Sequence, residues 1–212
     1  MKHTDVENIM MKSTSSFEHR VCELIQASIA TKQLLISSSE AVLGVAKVSE
    51  VLVYAFRHGK KAFLFGNGGS AADAQHIAAE LIGRFAFDRP ALPALTLSEN
   101  PSCVTAIGND HGFDYVFSRQ LEALASPGDI AIAISTSGNS ANVLRALSMA
   151  KDMKMHTVGL TGRTGGNLRD MVDHCICVPS SDTPRIQECH ILIGHIISEL
   201  VEKEIFHEKR SV

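Results

Sequence analysis

Apolar residues recur at two different spacings along the chain, and the spacing changes near residue 60. Residues 17–36 and 40–57 carry apolar positions three and four apart with few helix breakers, which predicts two amphipathic helices. The short ISSSE stretch joins them, and Gly59 is placed to close the second helix. This pair of helices precedes a region with a different pattern.

Beyond residue 60, short apolar runs alternate with stretches of helical period. The runs predict strands at 62–65, 94–98, 129–135, 156–162 and 174–180. Helices are expected at 71–84, at 140–153 and from Arg185 to the end of the sequence. Alternating strands and helices predict an α/β fold with a mostly parallel sheet, and strands that are apolar throughout indicate that helices cover both faces.

Length and composition suit one compact domain. The chain has 212 residues, which we divide into a polar lead at 1–16 and a single domain at 17–212. Residues 17–57 then form a cap or an oligomer contact. A formal charge of −3 argues against a nucleic-acid surface, and no apolar run approaches the roughly 18 residues of a membrane span. The polar lead has no apolar signal core, so we expect a cytoplasmic protein.

The five cysteines are an odd number and form no CxxC pair. The simpler interpretation is buried free thiols in a reducing cytoplasm. Cys175 and Cys177 alternate along a predicted strand and therefore point to the same side. A thiol pair on a metal is the alternative, but the spacing is poor for it.

Two loops combine small residues with a helix start, and both follow predicted strands. They are GNGGS at 66–70 and STSGNS at 135–140. Ligands of open α/β sheets gather beyond the carboxyl ends of the strands, and helix N-termini favour anions. The alternative is that both loops are simply capped helix starts, which Ser, Thr, Asn and Gly also favour.

Neither loop contains the lysine of a nucleotide-binding phosphate loop. Lysine and Mg²⁺ matter most where the phosphoryl group itself is transferred. The pattern therefore indicates a phosphate monoester whose phosphate stays in place and serves as a handle.

A His/Glu pair and a second polar cluster are candidates for chemistry. His76 and Glu80 are four apart and share a helical face, which suits half of a metal site or an acid/base pair, although such surface pairs are common. In the last helix, His195 follows Gln187 by eight residues and Glu188 by seven, and His190 follows Gln187 by three. Spacing does not choose the partner of His195. Since its neighbours are largely apolar, it also fits a buried histidine satisfied by a carbonyl.

The ordered set of motifs resembles a known family. GNGGS, the following His-x3-Glu, ISTSGNS, LTG and RIQE-x6-H are together similar to the phosphosugar-binding SIS domain, and within it to the phosphoheptose (sedoheptulose 7-phosphate) isomerases. The resemblance spans about residues 17–205. It implies a flavodoxin-like parallel sheet flanked by helices, a homotetramer, and one zinc per site. It also implies conversion of the ketose sedoheptulose 7-phosphate to an aldose heptose 7-phosphate through an enediol, for lipopolysaccharide core or other surface glycans.

The same resemblance assigns roles to individual residues. It implies Glu80 and His195 as the acid/base pair. It implies zinc ligands at His76, Glu80, Gln187 and His195, which favours Gln187 over Glu188. The implied substrate contacts are Asn67, Gly68, Gly69, Ser70, Glu80, Arg84, Asn109, Asp110, Ser135, Thr136, Ser137, Ser140 and Gln187. One departure is Pro184, where some members carry an acidic residue three before the matching Gln; we assign no catalytic role to Pro184, Asp182 or Thr183.

Two other classes of protein share this pattern in part. One is a replication regulator that binds the initiator DnaA, whose helix lacks the glutamate found here at position 80. The other is a sugar-phosphate sensor, which is usually fused to a further domain. Glu80 together with intact GNGGS and STSGNS favours the isomerase.

Overall fold

In the computed structural model, which describes residues 3–206 and the side chains from residue 16 onward, helices alternate with strands after a helical pair. The pair is α1 (His3–Ser37) and α2 (Ser39–Arg57). The strands are β1 (Ala62–Gly66), β2 (Ala94–Thr96), β3 (Ile130–Ser135), β4 (His156–Thr161) and β5 (His174–Cys177). The remaining helices are α3 (Gly69–Ile82), α4 (Pro101–His111), α5 (Ser118–Leu124), α6 (Ala141–Asp152) and α7 (Thr183–Phe206). Short 3₁₀ turns span Phe113–Tyr115 and Gly166–Met171.

The five strands form one sheet in the order β2-β1-β3-β4-β5, and every pairing is parallel. This is the flavodoxin-like order, with its topological switch point between β1 and β3. The predicted fold class is therefore confirmed. The carboxyl ends of β1 and β3 lie side by side, since Gly66 is in register with Ile134.

Apolar residues on both faces of the sheet are buried, as the continuous apolar strands predicted. On one face, Leu64 and Ile132 join a core with α2, α3 and α7. On the other face, Phe63, Phe65 and Ala131 join a core with α5 and α6. Helices α3 and α7 lie on the same face, and this arrangement places their side chains next to each other.

Most predicted elements are present with shifted ends. The first helix extends back through the polar lead to His3, and the helix predicted at 71–84 covers 69–82. Ser38 separates the two leading helices, because its side chain accepts a hydrogen bond from the Ala41 N–H and caps α2. The last helix begins at Thr183, and its predicted end at 207–212 lies outside the described residues. None of the helices within residues 3–206 is both long and apolar enough to cross a membrane.

The region between β2 and β3 holds helices that the sequence pattern did not predict. Helix α4 has no fully buried residue, and only Val104 and Ile107 pack partly against the second core, so its apolar stripe is short. Its start does carry a local signal, since Asn100 accepts from the Cys103 N–H and Pro101 follows. Helix α5 spans only seven residues, too few for its period to be read.

Candidate active site

The two small-residue loops lie next to each other at the switch point of the sheet. The first connects β1 to α3, and the second connects β3 to α6. The residue before α3 is Gly68, and the residue before α6 is Ser140; neither makes a side-chain cap. Helices α2 and α4, by contrast, are both capped by side chains. The interpretation as simply capped helix starts is therefore weakened, since the N-terminal amides of α3 and α6 lack the side-chain acceptor that a cap supplies.

A reciprocal amide pair ties the two loops together. The Asn67 Nδ2 donates to Asn142 Oδ1 at 2.8 Å, and the Asn142 Nδ2 donates to Asn67 Oδ1 at 2.9 Å. Asn142 is buried in the first turn of α6. The sequence analysis missed Asn142, because its partner lies 75 residues away and no local spacing signals the pair.

Hydroxyl groups line both loops. Ser70 and Ser135 are buried, and Ser135 Oγ lies 3.2 Å from Ser140 Oγ. Thr136 and Ser137 open onto a cleft of about 220 Å³, where the other lining residues are Arg163, Thr164, Ser180, Ser181, Thr183 and Ile186. Arg163 and the Ser180 segment were not among the predicted site residues. This edge of the sheet thus offers hydroxyl donors and one guanidinium, a suitable environment for an anion.

Three predicted side chains from two helices meet near the middle of α3. His76 Nε2 lies 3.2 Å from Glu80 Oε1 and 3.2 Å from His195 Nε2. The ligand-type atoms of all three residues lie within 4.8 Å of one another. His76 is exposed, while Glu80 and His195 are half-buried, so small molecules have access to the cluster.

The donor set of this cluster fits a zinc ion. Two ring nitrogens and a carboxylate oxygen converge, and these are the atoms that Zn²⁺ accepts in open catalytic sites. Two imidazole nitrogens facing each other at 3.2 Å are both satisfied when a cation lies between their lone pairs. His76, Glu80 and His195 are therefore the residues that would hold such an ion, with the amide oxygen of Gln187 as a further candidate.

Close approach of α3 and α7 brings the two histidines together. Gly194 lies directly against Ile77, where a Cβ on the glycine would come within 2.4 Å of the isoleucine side chain. The neighbouring residues are His195 on one helix and His76 on the other. The glycine lets the helix backbones approach, and the ring centroids of the two histidines then lie 5.0 Å apart.

Gln187 and Glu188 point in different directions from the start of α7. The side chain of Gln187 lies against Gly69 in the first loop (66–70). A Cβ added to this glycine would come within 2.3 Å of the Gln187 amide nitrogen. Glu188 pairs with Arg185 and lies 3.9 Å from Lys32 of α1. Burial alone would raise the pKa of Glu188, but hydrogen bonds from Ser28 and Arg185 lower it. Glu188 is thus part of the contact with α1, and Gln187 faces the site.

The buried histidine of α7 is His190. Its Nε2 lies 3.2 Å from the Thr161 carbonyl oxygen, and its Nδ1 is buried with no partner among the described residues. Burial lowers the pKa of His190 to about 4. The interpretation of a buried, carbonyl-bound histidine, considered for His195, therefore applies to His190 instead.

A buried carboxylate holds the loop after α3. Glu202 accepts from the backbone N–H groups of Phe85 and Ala86, each at 2.7 Å, and forms an ion pair of 3.0 Å with Arg89. Arg89 in turn donates to the carbonyl oxygen of Glu80 at 2.8 Å. Phe85 packs against the His195 ring. This loop latch, made of Glu202, Arg89 and the backbone of 85–87, connects the loop to both site helices and escaped prediction because its partners lie 113 to 117 residues apart.

Asp73 is a further carboxylate beside the cluster. Burial raises the pKa of Asp73 to about 6, and the charge of His76 opposes that rise. Its Oδ2 is buried and has no partner among the described residues. It precedes His76 by three positions, a spacing that shares a helical face and that the sequence analysis did not use.

Several predicted residues lie apart from the cluster. Arg84 is exposed in the loop after α3. Asn109 and Asp110 are exposed at the end of α4, where the Asn109 amide donates to the Asp110 carboxylate at 2.8 Å. Within the described residues, no hydrogen bond joins these three side chains to the His76 cluster. The segment 182–184 is exposed at the start of α7.

All five cysteines are free, but they are not uniformly buried. Cys22 and Cys103 are exposed, Cys175 and Cys177 are half-buried, and only Cys189 is buried. The prediction of buried thiols is thus wrong for Cys22 and Cys103, which lie on α1 and α4, the helices that bury little of their surface against this chain.

Comparisons with known proteins agree with this architecture. The sequence profile of the SIS domain matches residues 26–162. Phosphoheptose isomerase of Sulfurimonas denitrificans is 54% identical over 184 residues, covering 87% of this chain and 94% of that protein. The Aneurinibacillus thermoaerophilus phosphoheptose isomerase is 52% identical over 185 residues, covering 87% and 93%. The structure of phosphoheptose isomerase from Neisseria gonorrhoeae superposes with a TM-score of 0.83 at 41% identity, covering 88% and 99%.

The fold and the paired loops therefore define a SIS-domain protein. Within that class the similarity extends over nearly the full length of the relatives. The chain belongs to the phosphoheptose isomerase family and is an isomerase. Family membership favours this function over a regulator that binds DnaA.

Proposed function

We propose that this enzyme converts sedoheptulose 7-phosphate to D-glycero-D-manno-heptose 7-phosphate. The observation that carries the proposal is the placement of two sites on α3. Its N-terminus lies at the two small-residue loops (66–70 and 135–140), and His76 lies seven residues further along the helix. At about 1.5 Å per residue this separation is roughly 10 Å, which an extended heptose 7-phosphate can span with its phosphate at the loops and its C1–C2 end at the cluster.

The residues of the cluster supply the proton transfers. In the forward direction a base removes a proton from C1 of the ketose, giving an enediol, and an acid returns a proton at C2 while hydrogen moves from O1 to O2. Glu80 and His195 are the proposed pair, since both project from facing helices beside His76. A zinc ion held by His76, Glu80, Gln187 and His195 would act as a Lewis acid toward the sugar oxygens.

The two loops are proposed to bind the phosphate of the substrate and fix its position. Asn67, Ser70, Ser135 and Ser140, with Gly68, Gly69, Thr136 and Ser137, are the proposed phosphate and sugar contacts, and Arg84, Asn109 and Asp110 are proposed as further contacts. The Asn67–Asn142 pair keeps the two loops at a fixed separation, which supports a preorganised cradle.

The assembly is proposed to be a homotetramer. An apolar groove of about 540 Å³ lies between α1, α2 and α7, and exposed Ile36, Val42 and Ile196 line it. Helix α4, which has no fully buried residue in its own chain, offers a second surface. Exposed apolar surface of this kind supports burial against further copies.

The place of action is proposed to be the cytoplasm. Five free thiols support a reducing compartment. There the product would enter synthesis of activated heptose for lipopolysaccharide core or other surface glycans.

The test is an NMR assay of the purified full chain with sedoheptulose 7-phosphate, performed before chelation, after chelation and after zinc is restored. Aldose heptose phosphate that disappears on chelation and returns with zinc supports both the reaction and the metal. Aldose formation that is unaffected by chelation supports the proposed reaction and contradicts a requirement for the metal. Absence of aldose under every condition contradicts the proposed reaction.

A further inference from the structure

Two thiols outside the site lie within contact distance of each other. Cys175 and Cys177 occupy alternate positions of β5, and their sulfur atoms are 3.7 Å apart. Both are half-buried, so small molecules can approach. The described residues contain no second sulfur pair at such a distance.

The pair lies where the fold tolerates local movement. Strand β5 is at the edge of the sheet and is paired on one side only, with β4. Opposite Cys175 in that ladder is Gly159, and the space beside this glycine is filled by Leu168. A change in β5 therefore disturbs one ladder and no strand beyond it.

The two sulfurs are in contact, but a bond between them requires the strand to bend. Residues two apart on a straight strand have Cα and Cβ atoms separated by about 6.5 Å, whereas a disulfide needs Cβ atoms about 3.5–4.5 Å apart. Bending is least costly on an edge strand such as β5. A bond that holds the strand bent is readily reduced again, which suits a reversible site more than a structural bridge.

The surroundings favour one thiolate and one thiol. The hydrogen bond from Cys175 lowers the pKa of Cys177 to about 7 against the effect of burial, and Arg169 acts in the same direction while Glu40 opposes it. The shared hydrogen bond and burial raise the pKa of Cys175, which keeps the proton. Arg169 and Glu40 pair with each other at 3.1 Å on the surface. A thiolate beside a second thiol is the usual arrangement of a nucleophilic and a resolving cysteine.

A metal centre suits the pair less well. Soft metal ions in proteins generally take three or four sulfur or nitrogen ligands. Within residues 16–206 the one group of three or more potential ligand residues is that of His76, Glu80 and His195, and neither cysteine belongs to it.

We propose that Cys175 and Cys177 form a redox-active dithiol that undergoes exchange with low-molecular-weight disulfides. The Cys177 thiolate attacks one sulfur of the small disulfide, forming a mixed disulfide and releasing one small thiolate. Cys175 then loses its proton and attacks the Cys177 sulfur, which releases the second small thiolate and closes the Cys175–Cys177 bond. The protein loses two electrons, and the small disulfide gains them as two thiols.

The experiment uses the full chain, fully reduced and then exposed to hydroxyethyl disulfide at pH 7. The reaction is quenched with acid, remaining thiols are alkylated, and the tryptic peptides are weighed by mass spectrometry. Cleavage after Arg169 and Arg185 gives a 170–185 peptide whose cysteines are Cys175 and Cys177 alone. We expect this peptide to be two hydrogen atoms lighter than the reduced form and to carry no alkyl group.

Single variants resolve the order of the steps. Cys175→Ser is expected to stop at a stable mixed disulfide on Cys177, because the resolving thiol is gone. A Cys22→Ser, Cys103→Ser double variant is the matched control and should still give the internally bridged peptide. The proposal is overturned if the wild-type peptide carries stable mixed disulfides, or if both of its thiols remain open to alkylation while Cys22 and Cys103 have reacted. These outcomes come from the wild-type protein and do not depend on the folding of any variant.

Discussion

At the scale of single residues, Glu80 is the strongest candidate for moving the carbon-bound proton. Its carboxylate lies 3.2 Å from His76, and its backbone carbonyl is held by Arg89, so both ends of the residue are fixed. A base held in this way needs little reorganisation during proton transfer.

We expect Glu80→Gln to fold and to bind substrate but to lose about 10²- to 10⁴-fold in kcat, the usual contribution of a general acid/base. Steady-state turnover and substrate affinity measure the effect. Glu50→Gln is the control, since Glu50 makes an exposed ion pair with Lys47 on α2. Near-normal turnover of Glu80→Gln would remove this residue from the base role.

His195→Gln should reduce bound zinc together with activity, because a ring nitrogen is removed from the cluster. Elemental analysis of the purified variant measures the metal independently of turnover. His156→Gln, which changes an exposed histidine at the start of β4, should keep its zinc. A fully loaded His195→Gln protein would argue against ligation by this residue.

His190 makes the stability of the fold sensitive to acid. Its pKa lies near 4 in the folded chain, against an ordinary value of 6.5. Between these two pH values the unfolded chain binds a proton and the folded chain does not, so lowering the pH favours unfolding. The full effect is about 3 kcal/mol at 1.36 kcal/mol per pKa unit.

His190→Gln keeps a donor for the Thr161 carbonyl but does not titrate. We expect its unfolding free energy, measured by urea denaturation, to fall less steeply between pH 7 and pH 4 than that of the wild type. Parallel pH profiles of the two proteins would show that His190 does not remain neutral in the fold.

At the scale of elements, the loop latch couples α3 to α7. Glu202 is 1% exposed and Arg89 is 2% exposed, so neither charge is compensated by water. Burial alone would raise the pKa of Glu202, but hydrogen bonds from the Phe85 and Ala86 amides and from Arg89 hold it below its ordinary value.

Glu202→Gln should destabilise the fold by about 3–5 kcal/mol, because it leaves the Arg89 charge buried without its partner. Thermal unfolding measures this loss. We expect the variant to lose zinc affinity as well, since Phe85 no longer holds the His195 ring. Glu199→Gln, at an exposed position on the same helix, is the control and should change stability by less than about 0.5 kcal/mol. Equal stability of the two variants would contradict the role of the latch.

At the scale of the whole molecule, the apolar groove between α1, α2 and α7 is the proposed contact between copies. Val42→Asp adds a charge there and should lower the mass measured by light scattering, because a charge is costly to bury in an apolar contact. Val42 is 49% exposed in the single chain, so the fold should survive. Leu124→Asp on α5 has the same 49% exposure outside the groove and should leave the mass unchanged. An unchanged mass for Val42→Asp would exclude the groove from the assembly.

The sequence predicted the structural features that depend on residues close to one another along the chain. The spacing of apolar residues predicted the sheet and most helices. The four-residue spacing of His76 and Glu80 predicted that both lie on one face of a helix. Asn142, Arg89 and Glu202 were missed because their partners lie far along the chain and are chosen by tertiary packing. Helix α4 was missed because only Val104 and Ile107 pack against the core, and two positions are too few for a helical period to be recognised.

The separation of His76 from His195 by 119 residues has a consequence for synthesis. A ribosome adding about 5–20 residues per second needs roughly 6–24 s to pass from the first to the second. For almost all of that interval the nascent protein carries two of the three cluster residues, His76 and Glu80, and lacks the third. A metal ion that needs all three residues can therefore be bound only after the ribosome has passed His195.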